Sequence, residues 1–177
     1  MSIVIEENTL TAEQFQSIRE STGRKPLPIS QIKSALDFGL YRVLAKHNDI
    51  PVGMGRLVGD GSMYWYIQDL FVIPEYQGQG IGKAIAEHLI RHINITSPLG
   101  ITTTVGLFSA VGKDGFYEKL GFTARPSKVY GAGMIKHLNI PENYTKWQDT
   151  LFEDMSIEEI SEKAAELRAI EQAGHHS

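Results

Sequence analysis

Between residues 77 and 82 the chain reads Gln-Gly-Gln-Gly-Ile-Gly, three glycines in five positions, and runs at once into the helix-favouring residues Lys83-Ala84-Ile85-Ala86. Glycines at this density cost backbone entropy, so something must come close to the main chain there. The first amides of a helix have no partner inside it, and glycines that clear side chains from around them make an anion site, normally for phosphate. The helix dipole alone adds only about 0.3–1 kcal/mol, so converging amide hydrogen bonds must supply most of the binding. Two phosphate motifs fail letter by letter. The dinucleotide fingerprint needs glycine where Lys83 stands, and the P-loop needs glycine at Gln77 and Ser or Thr at Ala84.

A second pair of residues has the spacing for chemistry. His88 and His92 stand at i and i+4, as metal ligands on a helix do, but Leu89 follows His88 where the HExxH pattern needs glutamate. Helical angles place both histidines among Ile81, Ala84, Ile85 and Leu89, on an apolar arc, which points to a partly buried or interface pair and to no metal site. With no cysteine in the chain, disulfides, thiolate metal sites and a cysteine nucleophile are excluded.

The elements that must position the glycine-rich loop follow from periodicity. Ser2 to Glu7 reads as a strand. Thr11-Ala12-Glu13-Gln14 is a capping box with Leu10 and Phe15 as its hydrophobic staple, so a helix starts there. Thr22 to Pro28 breaks it, and Ser30 is placed to cap a second helix carrying Ile32, Ala35 and Leu36 until Gly39. Strands are expected at Tyr41 to Lys46, Val52 to Val58 and Tyr64 to Val72, joined by turns at 47–49 and 59–61. After the loop, a helix from about Ile81 to Ile95 and a strand at Ile101 to Leu107 complete a βαβ unit, which requires parallel pairing inside an otherwise antiparallel sheet. A short helix at Gly115 to Leu120 stops at Gly121, and Val129 to Leu138 reads as a last strand. The expected class is α+β with a mixed sheet.

Pro141 opens a different region, so the domain is expected over 1–140 with a helical extension over 141–177. Ser156-Ile157-Glu158-Glu159 is another capping box, and Ile157, Ile160, Ala164 and Leu167 form a narrow apolar stripe. That stripe fits either the chain's own core or a second subunit, a homodimer. At 177 residues and 42% apolar the chain can close one real core, and its net charge of −4 gives no surface for a polyanion. Nucleic acid is not an expected partner. The N-terminus lacks a basic region followed by an apolar stretch, and no window suits a membrane span, so neither membrane association nor secretion is expected and a cytoplasmic location is.

The stretch Gln77 to Gly82, read as Gln/Arg-x-x-Gly-x-Gly/Ala between a strand and a helix, resembles the pyrophosphate-binding motif of the GNAT superfamily of N-acetyltransferases. The likeness extends to DLFVIPEYQGQGIG at 69–82, to DGFYEKLGF at 114–122 and to YGAGMIKHL at 130–138, and it follows the family's element order from residue 3 to about 138. It implies a GNAT-like fold with a splayed strand pair and helices on both sheet faces. Acetyl-CoA is implied as cosubstrate. Its pyrophosphate would lie on the loop Gln77, Gly78, Gln79, Gly80, Ile81, Gly82 and Lys83, held by backbone amides from Gln79 to Lys83, and its pantetheine arm on the backbone of Leu70, Phe71 and Val72. Lys83 either adds charge near the phosphates or is simply solvated. Ser109 stands where related enzymes often carry a cofactor-binding asparagine.

By the same resemblance Tyr117, in Phe116-Tyr117-Glu118-Lys119-Leu120-Gly121-Phe122, matches a tyrosine general acid. Strand alternation puts Tyr66, Gln68 and Leu70 on one face and Trp65, Ile67 and Asp69 on the other. Many family members carry a glutamate at the position of Gln68, facing the substrate. Gln68 cannot take a proton, so a water relay through Tyr66 or backbone carbonyls, or an amine of lowered pKa, must replace it. Asp69 reads as a structural hydrogen-bonding residue. The implied function is N-acetylation of a small-molecule primary amine by direct attack in a ternary complex. The alternative is a module that binds coenzyme A or an acyl-CoA without turnover.

Overall fold

The computed structural model describes residues 3–138. The apolar stripe Ile157 to Leu167 and the proposed extension from 141 lie outside the described residues. The chain divides after Val129, and the elements below all belong to the part before that point.

Five strands form one sheet in the order β1 (Ile3–Glu7), β2 (Tyr41–His47), β3 (Ile50–Gly59), β4 (Tyr64–Val72), β5 (Thr104–Gly106). The first four are joined antiparallel, and β4 with β5 is the parallel pair that the βαβ unit requires. β2 and β3 make a hairpin on the two-residue turn Asn48-Asp49, whose positive φ values of 49° and 64° match the twist of the flanking strands. The helices are α1 (Ala12–Ser21), α2 (Ile29–Asp37), α3 (Ile81–Thr96) and α4 (Asp114–Glu118).

The sequence signals act where the chain places them, with three differences. At Thr11 the capping box closes in both directions: the hydroxyl accepts from the Gln14 amide at 3.2 Å and the Thr11 amide donates to the Gln14 side chain at 3.0 Å. Leu10 and Phe15 are both buried in the same cluster. Ser30 is not a cap. Pro28, with φ fixed at −54°, leads the chain directly into α2, and its carbonyl takes the first helical bond from Ile32. Residues 129–138 form no strand: Gly131 and Gly133 weaken the run, and no ladder partner is found for it among the described residues. β5 is shorter than the run from Ile101 to Leu107, which narrows its pairing with β4 to residues 64–66.

Alternation along the strands divides two cores. Tyr41, Val43, Ala45 and Leu57 point toward α3, where Ile85 and Leu89 are fully buried, whereas Leu44 and Met54 point toward Phe15, Ile18, Ile32 and Leu36 of α1 and α2. Helices thus cover both faces, as in other mixed sheets of this class. α3 lies unusually close to β3 because Gly55 has no side chain. A Cβ there would stand 2.7 Å from Ile85 Cγ2 and 3.0 Å from Leu89 Cδ1. Gly55→Ala should therefore cost about 1–3 kcal/mol of stability, read as a lower urea midpoint at unchanged slope.

Candidate active site

β4 and β5 start as neighbours and then part. Their register covers only Tyr64 to Tyr66 against Thr104 to Gly106. From Gln68 to Val72 the β5-facing edge of β4 carries no ladder partner among the described residues, although the Val72 carbonyl at its end accepts from the Gln77 side chain. An extended amide-bearing chain can add itself there as a strand would.

A bulge in β4 turns that edge outward. Met54 opposes Phe71 but Arg56 opposes Gln68, so two residues, Asp69 and Leu70, face Gly55 alone. Asp69 takes up the extra length with φ of 52°, a left-handed conformation that aspartate adopts more readily than most residues. The bulge corrects the strict alternation expected for this strand. Leu70 joins the α3-side core with Trp65, Ile67 and Val72, whereas Tyr66, Gln68 and Phe71 lie toward α1 and α2, opposite Val58, Arg56 and Met54 respectively.

Asp69 is occupied in holding this bend. Its carboxylate accepts from Arg56 Nε at 2.7 Å, and the Arg56 Nη1 group donates to the Ala35 carbonyl of α2 at 2.9 Å. The pair is 13% and 9% exposed at its side chains, so each charge depends on the other. Asp69→Ala should cost about 3 kcal/mol by leaving a buried guanidinium unpaired, and Asp69→Asn clearly less; chemical denaturation of both checks this.

The strand ends in a 3₁₀ turn, Pro74–Tyr76, and the glycine-rich loop follows. Gly78 and Gly80 have φ of 75° and 83°, and nothing lies within 4 Å of where their Cβ atoms would be. Their requirement is conformational, and the surface over them is clear. Gly80 is the N-cap of α3 and no side chain caps the helix. The first helical bond runs from Ala84 to the Gly80 carbonyl, so the amides of Ile81, Gly82 and Lys83 have no partner within the helix.

Side chains of the loop act differently from its backbone. Gln77 Nε2 donates to the Val72 carbonyl at 2.9 Å and fastens the loop to the end of β4; Gln79 Nε2 donates to the Glu75 carbonyl at 3.1 Å. Lys83 pairs with Glu87 at 3.5 Å on an exposed face, a contact worth about 0.3–0.5 kcal/mol. Ile81 is buried beneath the loop.

α4 abuts the same loop. A Cβ on Gly82 would lie 3.7 Å from Phe116 Cζ, and the same point is 3.7 Å from Val72 Cγ2 and 3.8 Å from Leu70 Cδ2. Tyr117 sits between Phe116 and Phe122, edge-on to both at 4.8 and 5.9 Å between ring centres. The turn Leu120-Gly121-Phe122 folds back on the carbonyls of Tyr117 and Glu118, which closes α4 and brings Phe122 beside Tyr117. Burial pushes the Tyr117 phenol above its ordinary pKa of 10.0, so it keeps its proton at neutral pH.

On the α1/α2 side of β4, the Tyr66 hydroxyl is buried with no hydrogen-bond partner among the described residues, and burial raises its pKa to about 12. Its ring meets Phe108 edge-on at 5.5 Å and lies against the Cα of Gly106, where a Cβ would come within 3.3 Å. No hydrogen bond is formed by the Gln68 side chain to any described residue. Ser109 donates its hydroxyl to the Ala110 carbonyl at 3.0 Å. Sequence reasoning did not find Arg24, whose guanidinium lies 4.8 Å above the Phe71 ring; no local pattern marks a contact between segments so far apart in the chain.

The histidines of α3 belong to another cluster. His92 stacks on Tyr41 at 3.6 Å, and His88 Nε2 lies 2.8 Å from Glu7 and 3.1 Å from the Tyr41 hydroxyl. Arg91 can only donate, so its 3.1 Å contact makes His88 Nδ1 an acceptor and puts the proton on Nε2, toward Glu7. The bond from His88 holds the Glu7 carboxyl below its ordinary range, and burial lowers His92. No set of three or more metal-ligating side chains is found among the described residues.

A family model described as an acetyltransferase (GNAT) domain matches residues 40–124. The uncharacterized N-acetyltransferase ycf52-like of Prochlorococcus marinus is 32% identical over 122 residues, 67% of this chain and 66% of its own. GCN5-related N-acetyltransferase 1, chloroplastic, of Arabidopsis thaliana is 31% identical over 129 residues, 72% of this chain and 64% of its own. The chain thus spans slightly under two thirds of the length of these curated relatives. Among solved structures, a probable acetyltransferase from meticillin-resistant Staphylococcus aureus superposes with a TM-score of 0.67 at 29% identity, covering 77% of this chain and 100% of that one. The family match begins just before β2 and ends just after α4, so it takes in the open strand edge, the loop and Tyr117 together, and the chain belongs to the GNAT superfamily of N-acetyltransferases.

Proposed function

We propose that this protein is an N-acetyltransferase that moves the acetyl group of acetyl-CoA to the primary amine of a small molecule, by direct attack within a ternary complex. The observation that carries this reading is the junction of three features: amides at the start of α3 with no partner within the helix, an edge of β4 from 68 to 72 with no ladder partner among the described residues, and α4 against both. The donor set fits acetyl-CoA. Amides of Gln79 to Lys83 would take its pyrophosphate, the backbone of Leu70, Phe71 and Val72 its pantetheine amides, and the Ser109 hydroxyl would add a further cofactor contact. Acetyl-CoA supplies an activated thioester; everything else is done by the chain.

Two tasks fall to its residues. A lysine-like amine with pKa about 10.4 must lose a proton at a cost of about 4–5 kcal/mol at pH 7, while correct placement of two bound reactants supplies about 7–11 kcal/mol. Placement therefore does most of the catalysis. Gln68 accepts no proton, and Tyr66, with its pKa near 12, remains a phenol; both serve to bind and orient the amine, with water carrying its proton away. Tyr117, protonated at neutral pH, donates to the departing thiolate. Initial rates with both substrates varied test the ternary complex: intersecting double-reciprocal lines and no acetylated protein by mass spectrometry are expected, and parallel lines with an acetyl-enzyme would overturn it.

Gln68 favours one second reading, a module that holds coenzyme A without turnover, which predicts binding with no amine-dependent loss of the thioester. A relative from Glycine max carries the name histone acetyltransferase, which makes a lysine-rich peptide the main rival acceptor. The proposed location is the cytoplasm, to be tested by fractionation; no helix among the described residues is long and apolar enough to cross a membrane.

A further inference from the structure

We propose that the acceptor amine carries an anionic group, such as a carboxylate, and that Arg24 is the residue that selects it. This rests on the transferase reading given above.

The α3-side face of β4 is filled by core: Trp65, Ile67, Leu70 and Val72. An acceptor beside the open edge is therefore left the other face, where the bulge puts Tyr66, Gln68 and Phe71. The segment between α1 and α2 is braced to reach this face. Gln16 both donates to the Leu27 carbonyl at 3.3 Å and accepts from the Leu27 amide at 3.2 Å, Arg19 Nε donates to the Lys25 carbonyl at 3.0 Å, and Gly23 turns with φ of 78° on a bond from its amide to Glu20. Arg24 is the residue this turn presents, with its guanidinium 4.8 Å over Phe71. Stacking on a ring fixes the plane of the group and leaves its N–H edge available.

That edge is uncommitted: Arg24 forms no ion pair and donates no hydrogen bond among the described residues. β4 offers a cationic ligand nothing in return, since its one carboxylate, Asp69, is bound to Arg56. The groups on this face are thus a fork of donors, a phenol without a partner and a carboxamide. A polyamine or lysine-rich peptide would meet a like charge at Arg24 and no free counter-charge on β4; an amine bearing a carboxylate would meet a matching bidentate donor.

The test uses matched acceptors that differ only in a carboxylate, tyrosine with tyramine and lysine with cadaverine, together with a lysine-rich peptide, on the wild-type chain and on Arg24→Glu. The wild type should favour the carboxylated member of each pair in kcat/KM, and Arg24→Glu should lower that preference roughly 10- to 100-fold, with acetyl-CoA affinity by calorimetry unchanged. Comparing ratios removes the difference in amine pKa within a pair. Preference for the decarboxylated amine or the peptide, a ratio indifferent to Arg24→Glu, or a loss confined to acetyl-CoA affinity would each overturn the proposal. Absence of transfer to every amine despite bound acetyl-CoA would instead remove the transferase reading, and this inference with it.

Discussion

Tyr117→Phe should fold normally, bind acetyl-CoA as the wild type does, and transfer the acetyl group roughly 10²- to 10⁴-fold more slowly, the usual range for a lost general acid. The substitution keeps the ring, and so its contacts with Phe116 and Phe122. It removes only the proton intended for the thiolate. A purely structural tyrosine would give a different result, since its hydroxyl makes no hydrogen bond to any described residue and its loss would scarcely change stability or rate. Single-turnover rates are the proper comparison because slow product release can hide a chemical step. The pH profile adds a sign. With burial holding the phenol above 10.0, the acid is lost only as pH rises through that higher value, so the rate should climb with amine deprotonation and fall only on the far alkaline side. In the phenylalanine variant that alkaline fall should disappear.

Gly80→Glu should abolish coenzyme A binding in a folded protein. The residue sits at φ of 83° with open space around it, so the side chain would project over the amides of Ile81, Gly82 and Lys83 without striking the core. The strain of a non-glycine in this conformation costs about 1–2 kcal/mol, small beside the loss expected from a carboxylate placed where phosphates are to bind. Gly80→Ala separates the two effects: it carries the strain but no charge and should weaken binding only moderately. Unchanged affinity in folded Gly80→Glu, measured by calorimetry, would exclude the loop from the cofactor site.

Much of this arrangement was legible because it depends on local rules. The capping box at Thr11, the limits of β4 and the start of α3 at Ile81 follow from short patterns whose physics is complete within a few residues. The rest depends on partners distant in the chain. Period-two alternation assumes an unbroken ladder, and the bulge at Asp69 breaks it; the available signals were an aspartate able to turn left-handed and a glycine at 55 opposite it. Residues 129–138 have apolar side chains at strand-like intervals, but periodicity does not supply a neighbouring strand, and no ladder partner is found for them among the described residues. Ser30 had the right side chain for a cap, and Pro28 had already set the backbone. Arg24 over Phe71, and Arg56 across to Asp69, are contacts between segments whose meeting no local periodicity specifies.

The central claim is that acetyl-CoA bound on this loop and strand is consumed only by reaction with an amine. The full chain, incubated with acetyl-CoA and a broad set of primary amines, should release coenzyme A thiol in an amine-dependent manner, with one N-acetylated product found by mass spectrometry for each thiol released. Stoichiometric binding of acetyl-CoA with thiol release no faster in the presence of any amine than in its absence would contradict the account and leave a coenzyme A-binding module in its place.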